Sequence, residues 1–133
     1  MPALAFAFTK IAVADLDAAE RFYREAIGLK LIARTTAPDG DYGQEECIMS
    51  VTGGNDANQL ILIRYLNRPA PKPEEAWTGF AVSDVEESVA AVERGGGKVL
   101  MPPFEVPDYG IKATVVADPE GHLIELIQML GAS

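Results

Sequence analysis

The sequence predicts an α+β fold: two βαβββ modules whose sheets curve around a concave cavity. Three observations predict it. Strand-like and helix-like runs follow one another in the order strand, helix, strand, strand, strand, and do so twice. A displacement of 69 residues brings Thr9 onto Thr78, Ala12 onto Ala81, Val13 onto Val82, Asp15 onto Asp84 and Gly28 onto Gly97. Between the halves lies NRPAPKPEEA (67–76), whose three prolines give it the composition of a linker. One domain is therefore expected, with module one at 1–66, a linker at 67–75 and module two at 76–133.

The elements follow in order. LAFAFTKIAV (4–13) is rich in aromatic and β-branched residues and reads as a strand. In DLDAAERFYREAIG, Ala19, Phe22, Tyr23, Ala26 and Ile27 recur at helical spacing, Asp15 or Asp17 can cap the start, and Gly28 marks the stop. LKLIART (29–35), CIMSV (47–51) and QLILIRYL (59–66) read as strands. APDGDYG forms one connection and TGGNDAN (52–58) a hairpin connection. In the second half, WTGFAVSDVEESVAAVERGGGKVL repeats strand, helix and glycine stop. Val85, Val89 and Val92 line one helix face, and the cap is Ser83 with Glu86 or Asp84 with Glu87. EVPDYGIKATVVA and HLIELIQML flank a DPEG turn. PPFEVPDYG (102–110) reads as a loop able to close over a cavity, with Tyr109 as a lid residue that touches substrate.

Composition narrows the function. With 133 residues, 48% hydrophobic and 23% charged, the chain is that of an ordinary globular protein large enough to bury a core. A net charge of -9 argues against nucleic acid and against an anionic membrane as partners. One cysteine, Cys47, forbids an internal disulfide, and with a single histidine it rules out Cys/His zinc cages. No apolar run approaches the roughly 18 residues of a membrane span. The opening MPALAFAFTK lacks a basic leader segment, so a cytoplasmic location is expected. GGND and GGGK lack a phosphate-loop pattern, and Ser50, Ser83 and Ser88 have no triad partner. Cys47, inside a strand, is expected to pack.

Three stretches carry a family likeness. TKIAVADLDAAERFYREAIGLKL, FAVSDVEESVAAVERGGGKV and ADPEGHLIELIQ resemble, in order and spacing, the glyoxalase, bleomycin-resistance and extradiol-dioxygenase superfamily, also called vicinal oxygen chelate. The resemblance implies a glyoxalase-like fold, a small-molecule ligand, a homodimer and, in many members, a divalent metal held by four inward residues. Carried onto this chain, the metal positions fall at Phe8, Trp77, Glu125 and Leu62, with Leu60 as the alternative for the last. Phe, Trp and Leu offer no donor to such an ion, so no metal and no other cofactor is expected. Glu125 is left as the candidate catalytic residue. His122, three residues away, is expected to be a turn or surface histidine.

Strand alternation extends the site. If Phe8 points into the cavity, so does Lys10; if Leu62 does, so does Arg64; if Trp77 does, Gly79 leaves room beside it. The expected substrate-binding residues are thus Phe8, Lys10, Leu62, Arg64, Trp77 and Tyr109. Lys10 or Arg64 either neutralises Glu125 or remains to bind a ligand anion, with Phe8 and Trp77 stacking on its flat part. Two functions follow. One is a metal-independent lyase or isomerase in which Glu125 moves a proton and Arg64 and Lys10 stabilise negative charge. The other is a non-catalytic drug- or metabolite-binding protein of the bleomycin-resistance type. A metal-dependent glyoxalase or dioxygenase is the third, opposed by Phe8, Leu62 and Trp77.

Overall fold

A computed structural model of the chain describes residues 1–55 and 58–131. Asp56 and Ala57, part of the expected 52–58 connection, lie outside the described residues, as do Ala132 and Ser133. The chain forms two compact units, Met1–Lys72 and Pro73–Ser133, and the division falls inside the proline-rich segment.

The first unit contains β1 (Phe8–Ala12), α1 (Leu16–Phe22), β2 (Lys30–Ala37), β3 (Gln44–Ser50) and β4 (Gln59–Tyr65). Its sheet has the order β1-β4-β3-β2, with β1 parallel to β4 and the other pairs antiparallel. The second contains β5 (Trp77–Ala81), α2 (Val85–Arg94), β6 (Lys98–Val106), β7 (Ile111–Ala117) and β8 (Leu123–Met129). Its order, β5-β8-β7-β6, repeats the same pattern of one parallel and two antiparallel pairs. The two βαβββ modules read from the sequence are present, in an α+β architecture.

Local chemistry explains the helix limits. Asp15, not Asp17, caps α1: its Oδ1 accepts from the Ala18 N–H at 3.0 Å. Asp17 instead accepts from Arg34 at 2.8 Å. Beyond Phe22 the chain widens into a π-helical turn over Tyr23–Ile27 and ends at Gly28, whose φ of 90° suits a residue without Cβ. In α2 the cap is Asp84, accepting from Glu86 N at 2.9 Å and Glu87 N at 3.3 Å. Ser83 is not the cap.

Each helix covers one face of its own sheet. In the first unit Leu16, Ala19, Phe22 and Tyr23 are buried together with Ile11, Cys47, Met49, Leu60 and Leu62. Strand register puts Ile11, Leu62 and Cys47 side by side on one face. In the second unit Val85 and Val92 are buried with Val116, Ile124 and Leu126. The Gln128 side chain accepts from Val85 N at 3.0 Å, and Lys112 pairs with Glu86, so this face is the one beneath α2.

Two segments differ from the sequence reading. Residues 4–7 are exposed and precede β1. Pro102 to Val106 are not loop but the end of β6, and only Pro107–Tyr109 turn, as a short 3-10 helix. Prolines are tolerated there because β6 is an edge strand, and the pairing skips from Met101 to Phe104. No described helix is long and apolar enough to cross a membrane.

Leu62 has no exposed surface. Leu62→Ala should therefore cost about 2–5 kcal/mol in urea unfolding, while the exposed Leu31→Ala should cost little. Equal small losses would show that Leu62 is not a core residue.

Candidate functional site

In the second unit, β5 and β8 run parallel, with Trp77 beside Leu123, Gly79 beside Glu125 and Ala81 beside Ile127. Ile124 and Leu126, on the alternate positions, face α2, so Glu125 points the other way. There an open hollow of about 410 Å³ is lined by Trp77, Gly79, Ala81, Glu125 and Ile127, with Thr78 and Phe80 of the same strand. Trp77 is 56% exposed at its rim. A Cβ built on Gly79 would meet only the Glu125 carbonyl, at 3.8 Å, so the missing side chain leaves the carboxylate open to approach. Among the described residues of this unit, Glu125 has no hydrogen-bond or ion-pair partner. Tyr109 is exposed in the turn before β7 and does not line the hollow.

The first unit has its own helix-free face. Phe8 and Lys10 pair with Gln59 and Ile61, and the register carries this face across Ile63, Tyr65, Gln44, Glu46 and Thr35. Lys10 forms an ion pair with Glu46 and donates to Gln44 Oε1 at 2.8 Å. Thr35 Oγ1 donates to Glu46 Oε1 at 2.9 Å. The Lys10 ammonium lies 5.8 Å from the centre of the Phe8 ring. The Lys10 hydrogen bond holds the Glu46 carboxyl below its ordinary value, against partial burial, with Thr35 assisting. Lys10 is therefore committed to a neighbour in its own unit. Glu46 and Gln44 were not singled out in the sequence, because Lys10 reaches them across β4 from a distant part of the chain.

Leu62 and Arg64 require correction. Leu62 is opposite Cys47, and Arg64 opposite Glu45, on the helix-covered face rather than the face of Phe8. Arg64 forms an ion pair with Glu45. Both line a second, polar hollow at the start of α1, with Asp15, Asp17 and Arg34. The counterpart of Glu125 is Ile61: Lys10 pairs with Ile61 as Gly79 pairs with Glu125. Neither Leu60 nor Leu62 occupies that position.

His122 is at a turn, as expected, but it is buried rather than on the surface. Its Nδ1 lies 2.8 Å from Asp118 Oδ2. Asp118 Oδ1 accepts from the N–H of Glu120 at 3.0 Å and of His122 at 2.9 Å, which closes the β7–β8 connection. Cys47 is buried, and desolvation, reinforced by Glu20, pushes its thiol up to about 12. It stays a protonated thiol at neutral pH.

The residues at the four positions do not fit a divalent cation. Phe8, Ile61 and Trp77 offer no oxygen, nitrogen or sulfur donor suited to one, and Glu125 is a single carboxylate. Among the described residues no group of three or more His, Cys, Asp or Glu side chains could hold a metal ion.

Known proteins resemble this chain along nearly its whole length. The family model described as Glyoxalase/Bleomycin resistance protein/Dioxygenase superfamily matches residues 5–126. A lactoylglutathione lyase of Arabidopsis thaliana is 30% identical over 121 residues, covering 87% of this chain and 41% of the relative. The chain thus spans well under half of that plant relative. A lactoylglutathione lyase of Neisseria meningitidis is 27% identical over 124 residues, covering 90% of this chain and 87% of the relative. A glyoxalase family protein from Bacillus cereus has the same fold, with a TM-score of 0.84 at 23% identity over 98% of this chain and 97% of that one.

Since folding depresses the Glu46 carboxyl below 4.5, its contribution to stability is present above that pH and is lost as pH falls through the folded value. Glu46→Gln should be less stable than the parent near neutrality, and the gap should close in acid. Parallel stability profiles across that range would show that the Lys10 pairing has no energetic weight.

Proposed function

Because this chain belongs to the glyoxalase/bleomycin resistance protein/dioxygenase superfamily, we propose that it binds a small organic molecule with an acidic group. Glu125 then moves a proton on that molecule, in a lyase or isomerase step that uses no divalent metal. The observation that carries this reading is the Glu125 carboxylate, standing in an open hollow beside Gly79 with no ion-pair partner in its unit.

The chemistry asks little else of the chain. A carboxylate oxygen takes a proton from a carbon next to a carbonyl and returns it to the neighbouring atom, acting first as base and then as acid. Trp77 offers a flat apolar surface to the substrate body, and Ile127 keeps water from one side of the carboxylate. Arg64 has no part in this step, since it pairs with Glu45 on the other face of its sheet. The names of the Arabidopsis and Neisseria relatives make S-lactoylglutathione the compound to try.

A second reading draws on the apolar lining of the hollow, Trp77, Ala81 and Ile127. With one acid and no cation among the lining residues to polarise a carbonyl, the hollow would serve to hold a metabolite or drug without converting it.

One experiment separates the readings. The chain, freed of metal with a chelator, is incubated with S-lactoylglutathione in heavy water, and deuterium entry at the lactoyl carbon is followed. We expect exchange by the parent chain, slowed about a hundredfold or more in Glu125→Gln, with affinity changed little. Binding without exchange favours the holding protein. Exchange that stops with the chelator and returns with zinc or nickel would overturn the metal-free step.

A further inference from the structure

Neither backbone conformation nor packing within the second unit explains the glycine in the middle of β5. Gly79 has ordinary extended backbone, and its register with β8 runs on without a bulge. A Cβ there would meet nothing nearer than the Glu125 carbonyl oxygen, at 3.8 Å, which is an ordinary contact. Glycine weakens a strand interior, and where no bend, bulge or crowding calls for it, it marks a place where a ligand or another backbone comes close. In the first unit the matching position, paired with Ile61, carries the long side chain of Lys10.

The backbone of Gly79 is also open to bonding. In a parallel pair, successive residues turn their N–H and C=O groups alternately toward and away from the neighbouring strand. Val82 N donates to Ile127 O at 2.7 Å, so Val82, Phe80 and Thr78 turn these groups to β8, while Trp77, Gly79 and Ala81 turn theirs to the opposite margin. β5 is outermost in its sheet, and among the described residues of this unit nothing bonds to that margin. Trp77, Gly79 and Ala81 are all exposed. Thr78 and Phe80, whose side chains turn to the other face, line the hollow of Glu125 together with these three, so the hollow reaches the free margin of the strand.

We propose that this margin binds an N-acylated α-amino acid, which pairs with Gly79 as one residue of an added strand would. The ligand N–H donates to the Gly79 carbonyl, and a ligand carboxylate oxygen accepts from the Gly79 N–H. In an extended N-acyl amino acid these two groups lie on the same side, as they do in a strand residue. A simple carboxylic acid uses only the Gly79 N–H, and a simple amine only its C=O; the acylated amino acid uses both. The acyl body meets the apolar lining of the hollow, and the missing side chain at 79 leaves it room over the strand. The ligand carboxylate lies at the outer margin of β5 and Glu125 on β8, so the two like charges are a strand apart. The proposal rests on the hollow being a small-molecule site and names the class of molecule, but it needs no proton transfer by Glu125.

N-benzoylglycine and its ester twin O-benzoylglycolate, in which an oxygen replaces the N–H, test the pairing by titration calorimetry on the full chain. The parent should bind N-benzoylglycine and hold the ester about fivefold more weakly, the loss of one hydrogen bond. Gly79→Pro takes away the outward N–H, a change that an outermost strand tolerates. It should bind N-benzoylglycine about tenfold more weakly than Gly79→Ala does, since the bond lost is to a charged group. Its melting temperature should stay near that of the parent, whereas Phe80→Pro, which breaks a bond to β8, should melt far lower; equal losses would overturn the outward placement of the Gly79 N–H. Equal affinity for amide and ester, or no binding of N-benzoylglycine by the parent, would overturn the proposal with no variant needed. Exchange into S-lactoylglutathione without an amide preference sinks the pairing alone, and an amide preference without exchange sinks the proton transfer alone.

Discussion

Where β1 runs beside β4, and β5 beside β8, register alone decides which side chains share a face, and a slip of one residue exchanges the faces completely. The same parallel pairing gives the two units opposite contents. In the second, Gly79 and Val115 flank Glu125, so the acid has no charged neighbour on the adjoining strands. In the first, Lys10 lies beside Ile61 and reaches Glu46 on the strand beyond, so a base arrives with its own acid.

The same accounting sorts the cations. Lys10 and Arg64 are held by Glu46 and Glu45, and a ligand anion would have to compete with a carboxylate already in place. Arg68 lies beside two tyrosine rings, Tyr42 and Tyr65, and pairs with no carboxylate among the described residues of its unit. Openness matters for Glu125 in turn. An ionised acid among Trp77, Ile127 and Ala81 would be costly in a sealed cavity, and the wide mouth of the hollow lets water solvate it until a ligand enters.

Much of this was readable from the residues because it rests on short-range rules. The 69-residue displacement lays Asp15 over Asp84, the two residues that cap the helices, although Asp17 and Ser83 stood beside them as alternatives, and it lays β1 over β5, although the first strand was read from Leu4 rather than Phe8. Such features depend on neighbours within one turn of chain. The last strand of each unit depends on the connections before it, whose lengths differ between the halves. The resemblance set Leu62 as the counterpart of Glu125, one residue past Ile61, and so turned both Leu62 and Arg64 to the wrong face. Glu46 escaped notice because its role comes from a partner 36 positions away, a pairing that spacing along one strand does not reveal. The prolines at 102 and 103 suggested a loop, since strands carry proline only at edges, first residues or bulges, and the residues alone do not show that β6 is outermost.

Those two prolines have an effect beyond the site. An outermost strand with free N–H and C=O groups can recruit another extended chain by hydrogen bonding. Pro102 and Pro103 have no N–H to offer, and they stand in the stretch of β6 where the ladder with β7 is already interrupted between Met101 and Phe104. That margin of the second sheet cannot template a growing fibril along its full length. The protection comes from ring chemistry alone and requires no charge.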